Sequence, residues 1–509
     1  MNMIVFTAVM YIFGVLVGLL LRPKIPAAFI AISGLLWGTI AVLLYSLLLG
    51  VSGISYNTIN FLGGLTLLFL ALVFVNYRLG KFKALGRGFW LTFAGVLGAH
   101  VALSILFWKV NLTFRSTDTF RIIVAGRNLY GLSTLFEFVT MIFYSRYTAI
   151  NVVMQSYGRL LGETYNWAIS PNLYLAMLFV FFYTGRNAVR RNGIHPVWGN
   201  AFLILFGLVL LFTPFNLQMI AYINGQLPAA VFLTCAVLMF FTGILEREPQ
   251  WYFLGVFGLL GFYFARIEGA IFNLLLILLL LQFDRFSTYR KKLAVFTPYM
   301  ATVFGWEAIQ LVTIKFQTGS TSILDVLSAN YPHVQPDRIY YTLAATAALL
   351  IVLLLSRFAW MQQLVRNATN YVVLAAVLGA AVILAWDVKS ITLIRGINSF
   401  ILNVQSLGGY GATILGFAGL LLLGQFLPEG QDGDKFLRDQ VILYLIGLIG
   451  LGWMRSGYRL GWGDSGNRML YHILPVFAFY LFIRFASALT VRPAADPVDS
   501  QPAIVDSHT

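Results

Sequence analysis

Apolar runs of roughly 15 to 25 residues, each closed by a short polar or charged cluster, recur from Met3 to Ser487. No other feature restricts the fold as much. A hydrocarbon core about 30 Å thick is crossed by a helix of about 20 apolar residues, whereas barrel strands would be about 10 residues long and alternating. Helices also satisfy their own backbone polar groups where no water is available. The pattern therefore predicts an all-α, polytopic transmembrane bundle. Composition agrees, with 59% hydrophobic and 10% charged residues against about 25% charged in a soluble domain. The mean hydropathy is +0.82.

Fifteen candidate spans follow from the runs, at about 3–21, 26–49, 60–77, 89–108, 171–185, 198–214, 221–244, 251–265, 269–283, 293–312, 339–356, 370–386, 408–427, 440–454 and 470–487. The first lacks a positive leader and a small-residue cleavage site, and reads as a retained helix. Basic clusters at Arg22/Lys24, Arg78 to Arg87, Arg186 to Arg191, Arg285 to Lys292, and Arg357/Arg366 fall on alternate loops. The positive-inside rule makes that side cytoplasmic, with the N-terminus exoplasmic and the C-terminus cytoplasmic; the expected location is a plasma (inner) membrane. Residues 1–88 form a block of three spans, 89–487 a larger membrane module, and 488–509 a polar, proline-containing tail expected to be disordered.

The net charge of +15 sits mainly in those short loops, where it sets orientation, so nucleic acid is not the partner it implies. Cys235 lies alone in an apolar run, which excludes a disulfide framework and a thiolate cluster. The five histidines are scattered, and the close acidic pairs Glu246/Glu248 and Asp432/Asp434 fall in cytoplasmic loops, so no zinc spacing is visible. No phosphate-binding glycine loop of the nucleotide type occurs. No cofactor is expected, and a divalent metal is left open.

The longest stretch without a span is 109–170, which this topology places outside. Its segment FRSTDTFRIIVAGRNLYG carries Asp118 among Arg115, Arg121 and Arg127, and its apolar positions predict amphipathic helices lying at the interface. Asp118 has two readings. It complements a helix dipole beside a Ser116 or Thr117 cap, or it is a general base for an acceptor hydroxyl. The hairpin ARIEGAIF places Arg266 and Glu268 at the membrane edge, where an ionisable pair is either functional or an ordinary tip reaching headgroups. Further exoplasmic cations are Lys315, His333, Arg338, Lys389, Arg395, Arg455, Arg459 and Arg468. Arginine suits an anionic phosphate through its planar fork, and Arg468 at the mouth of the last span is the favoured one.

Three patterns, TDTFRIIVAGRNLYG, ARIEGAIFNLLL and GNRMLYHILPVFAFYLF, together resemble the GT-C class of integral-membrane glycosyltransferases over about residues 89–487. The resemblance implies transfer of a sugar from a polyprenyl-phosphate donor to a hydroxyl of a glycan, lipid or protein at the exoplasmic face, with inversion. It implies Asp118 as base, Glu268 as a positioning or assisting carboxylate, and Arg266, Arg468, Arg459 and Lys315 as holders of the lipid phosphate. Arg121, Arg127 and His333 would be acceptor or loop contacts. Two features depart from the class. Three candidate spans precede the helix before Asp118, and FNLQMIAYINGQLP carries Asn216, Gln218, Asn224 and Gln226 where acids are expected. The alternatives are a transporter or flippase for an anionic lipid-linked sugar, and a lipid-linked glycan ligase or polymerase.

Overall fold

The structure is a computed structural model that describes residues 1–21, 25–110, 116–144, 148–266, 268–284, 286–319, 336–427, 431–455, 460–461 and 465–488. Within them the chain is all-helical and forms no strand. In chain order the helices are α1 (Asn2–Leu20), α2 (Ala27–Val51), α3 (Thr58–Arg78), α4 (Arg87–Val110), α5 (Thr117–Asn128), α6 (Leu135–Tyr144) and α7 (Ala149–Leu160). They continue as α8 (Ile169–Arg191), α9 (Pro196–Phe212), α10 (Pro214–Ala221), α11 (Gln226–Glu246), α12 (Gln250–Ala265), α13 (Gly269–Phe283) and α14 (Tyr289–Thr318). The last seven described are α15 (Pro336–Leu355), α16 (Ala359–Arg366), α17 (Ala368–Ala385), α18 (Ser390–Leu402), α19 (Thr413–Gly424), α20 (Asp432–Arg455) and α21 (Ser465–Ser487).

Each of the fifteen apolar runs falls on a helix, but among the described residues only eight helices are long and apolar enough to cross a membrane. The count is nine if α9 and α10, bent by 63° at their junction, form one broken span. The break follows from sequence. Pro214 lacks the N–H that would continue the ladder of α9, yet it fits the first turn of a new helix. At 16 and 15 residues, α12 and α13 are each only about 24 Å long.

The core lies around α11, whose span is completely buried between α12, α8, α20 and α21. Residues 1–88 contribute to that core. Phe29 of α2 packs its ring against Trp251 and Tyr183, whereas α3 is only 11% buried over its apolar window. The α1–α2 contact is a glycine seam, in which a Cβ on Gly38 would stand 1.9 Å from the Met10 carbonyl oxygen. Small residues let two backbones approach this closely where lipid offers no hydrophobic drive for association.

Contacts between loops divide the bundle into two ends. At one end the segment after α4 meets almost everything. Tyr56 and Leu132 share a backbone bond of 2.8 Å, Thr119 bonds the Ile223 carbonyl at 3.3 Å, Thr148 bonds that of Ala265 at 2.8 Å, and Phe136 stacks on Phe316. Met1 joins this end through Glu163, at 3.0 Å. At the other end Arg191 meets Glu246 at 3.2 Å, Thr369 bonds Gln282 at 3.0 Å, and Arg484 bonds the Leu427 carbonyl at 2.7 Å. The two sets of loops are the two that the alternating basic clusters separate in the sequence. The short α6 stays at the first end against α2 and α14. The tail from residue 489 and the sequon Asn111-Leu-Thr113 lie outside the described residues.

Candidate functional site

Asp118 sits in the first turn of α5, whose cap is Ser116, its hydroxyl accepting from the Thr119 N–H at 3.2 Å. The dipole reading of Asp118 is therefore met locally. The carboxylate also reaches across the fold, however. Its Oδ2 accepts from the Tyr222 hydroxyl at 3.1 Å and lies 3.4 Å from an Nη1 of Arg468, 350 residues away. The Asp118 side chain is 36% exposed and that of Arg468 15%, so one flank of the pair is open while the guanidinium is largely desolvated.

Three elements bring these groups together. The break at Pro214 turns α10 out of line and delivers the loop Tyr222 to Gly225, which Thr119 ties to α5. Burial holds the Tyr222 hydroxyl above its ordinary pKa, so it remains a donor to the carboxylate. The last helix, α21, is fixed beneath Arg468 by His472 one turn on. The two His472 ring nitrogens are held by Gln226 at 2.6 Å and Tyr444 at 2.9 Å. With both nitrogens bonded, His472 braces α21 against α11 and α20. Asn216, on the same loop system, is bonded by Tyr174 and Tyr471. The amides Asn216 and Gln226, which stand where the class resemblance expects acids, thus lock α10 and α11 to α21.

The α12–α13 hairpin supplies the second charged group. Arg266 follows α12 in extended backbone and pairs with the buried Glu268 at 3.3 Å. Gly269 permits the tight reversal, since a Cβ there would lie 2.7 Å from the Tyr263 backbone. The Thr148 bond to Ala265 holds this tip against α7, which packs in turn on α5. The charges of Arg266, at the end of α12, and of Arg468, on α21, both act on the His472 ring. The Nε–H of each arginine is buried and has no hydrogen-bond acceptor among the described residues. An unsatisfied buried donor on a charged group costs more than about 1–3 kcal/mol, and an anion accepting from either arginine would relieve that cost.

The remaining sequence candidates distribute differently. Arg121 and Arg127 are exposed on the outer side of α5, so proximity in sequence does not carry them into the buried face. Lys315 is half-buried in the last turn of α14, at the same end of the bundle. Lys389 and Arg395 are exposed around the start of α18. His333, Arg115 and Arg459 lie outside the described residues, as do the side chains of Arg338 and Arg455. No group of three or more His, Cys, Asp or Glu that could hold a metal is found among the described residues.

Sequence reasoning passed over Tyr222, His472 and Glu307. Glu307 is the sole acidic residue inside the fifteen candidate spans. It is fully buried on α14 and accepts from the Tyr263 hydroxyl one turn below Arg266. The signal for it was available, because an ionisable side chain within a span is costly and retained for a reason. His472, inside the last candidate span, carried a form of the same signal, whereas Tyr222 carried none, its role coming from what faces it. No family model matches the chain, and no curated protein and no solved structure is similar to it.

Proposed function

We propose that this chain is a membrane glycosyltransferase of the GT-C kind, moving a sugar from a polyprenyl-phosphate donor to an acceptor hydroxyl. The observation that carries the reading is the Asp118–Arg468 contact, which puts a carboxylate and a guanidinium from distant helices in one partly open site. The first end of the bundle is taken as exoplasmic, and the short helices α12 and α13 as a hairpin through a locally thin bilayer.

In this mechanism Asp118 takes the proton of the acceptor O–H as the oxygen attacks the anomeric carbon. The bond from that carbon to the phosphate oxygen breaks on the opposite face, its electron pair leaves with the lipid phosphate, and configuration inverts. Arg468 exchanges part of its contact with Asp118 for the phosphate, and Arg266, held by Glu268, approaches from the other side. Preorganised positive charge of this kind stabilises charge developing on a leaving group. Tyr222 orients Asp118 through its hydroxyl. Incubating purified protein in detergent with a radiolabelled polyprenyl-phosphate sugar and an acceptor tests the proposal. Transfer by the wild type that collapses in Asp118→Asn is expected; full transfer by the variant removes Asp118 from the role.

The 63° bend between α9 and α10 favours a second reading, a transporter or flippase for an anionic lipid-linked sugar, since discontinuous helices line transport sites. Such folds usually carry a matched pair of broken helices, and only one bent pair occurs among the described residues. Sugar transfer in detergent, where no gradient exists, separates the two.

A further inference from the structure

A cavity of about 890 Å³ lies on the flank of the bundle, apart from Asp118 and the two arginines. Its walls are Val5, Phe6 and Val9 of α1 and Leu62, Leu65 and Phe69 of α3, and its end is formed by Tyr130, Arg159 and the turn after α7. We propose that it binds one anionic phospholipid, with acyl chain between α1 and α3 and phosphate against Arg159. The inference rests on the membrane setting of the chain and is independent of sugar transfer.

Four observations select this occupant. The groove opens to the outside of the bundle, for among its lining residues Val5 is 59% exposed and Thr66 of α3 is exposed. From Thr58 to Phe69 the wall runs about 16 Å along α3, close to the roughly 15 Å hydrocarbon depth of one leaflet. The polar end coincides with the loop end of the bundle, where a headgroup would sit. Arg159 is the sole charged side chain among the lining residues, and its guanidinium lies 5.2 Å above the Tyr130 ring, exposed to an incoming anion.

Local bonding removes the groups that would repel a phosphate. The carbonyls ending α7 are masked, Leu161 by Asn2 at 2.7 Å and Leu160 by Thr58 at 2.8 Å. The nearby Glu163 is engaged by the Met1 amino group. α5 separates this groove from the carboxylate site, since Asp118 stands in its first turn and Tyr130 just beyond its end, about 18 Å further on.

Native mass spectrometry of the full chain in detergent, titrated with phosphatidylglycerol or phosphatidylcholine, tests the proposal. Wild type is expected to retain one phosphatidylglycerol, preferred about fivefold over phosphatidylcholine, the worth of one basic side chain at a membrane surface. Val5→Trp, which fills the groove from an exposed position, should lose the retained lipid, and Arg159→Gln should keep lipid but lose the preference. Undiminished retention in a monodisperse Val5→Trp, or a preference that survives Arg159→Gln, would overturn it. If Val5→Trp is not monodisperse, Arg159→Gln decides alone, since its side chain is exposed. A wild type that dimerises through this face and retains no lipid also overturns it.

Discussion

The two ends of the bundle hold comparable charges and use them in opposite ways. At the end distant from Asp118, carboxylates are held between adjacent helices and turns by several donors. Glu246 accepts from Asn187 at 2.7 Å and Trp251 at 2.8 Å and pairs with Arg191. Asp284 accepts from the Ser287 N–H at 3.1 Å and meets Lys292 at 3.6 Å. These groups staple neighbouring helices and leave little capacity for a ligand. At the site end Asp118 and Arg468 come from distant helices, and the Nε donors of Arg266 and Arg468 are buried without acceptors among the described residues. Charge bonded by several local donors holds a fold together, whereas charge assembled from remote elements with spare donors is suited to a guest.

That contrast can be broken by mutating one end at a time. The largest expected effect is at Asp118. Asp118→Asn should lower turnover by about 10²–10⁴-fold while leaving the affinity for the lipid-linked donor nearly unchanged, measured as transfer rate against donor binding. Equal losses in both would make Asp118 a binding group instead.

Next in size is Glu246→Ala, which strips one acceptor from three partners and should destabilise by about 1–3 kcal/mol. A fall in thermal midpoint with undiminished transfer per folded molecule would mark that end as structural, and a selective loss of transfer would erase the distinction. Tyr222→Phe removes a donor to a charged acceptor and should reduce turnover by about tenfold. Its thermal midpoint should fall less than that of Glu246→Ala, because the carboxylate left behind is 36% exposed and keeps Arg468. Last is Arg121→Gln, close to Asp118 in sequence but exposed, for which a change within about 0.5 kcal/mol and an unaltered transfer rate are expected. A large effect there would return the exposed side of α5 to the site.

Much of this was legible in the residues. Helical class and element positions follow from the apolar runs, since a backbone in hydrocarbon must bond within itself. The break at Pro214 and the cap at Ser116 are local chemistry. Convergence was not legible in the same way. Asp118 lies three residues from Arg121 and 350 from Arg468, and the distant arginine is the one found against its carboxylate. The helix surface directs Arg121 outward, while the path of α21 brings Arg468 inward.

The sequence by itself determined that this chain is an all-helical membrane protein, and its alternating basic clusters separate the same two sets of loops that the fold gathers at its two ends. Hydropathy and turn chemistry act over tens of residues, and they suffice for that. Only the tertiary structure decided which charges share a site, because burial and facing are set by how α5, α12 and α21 pack, and a guanidinium's role depends on what lies opposite it rather than on its neighbours along the chain.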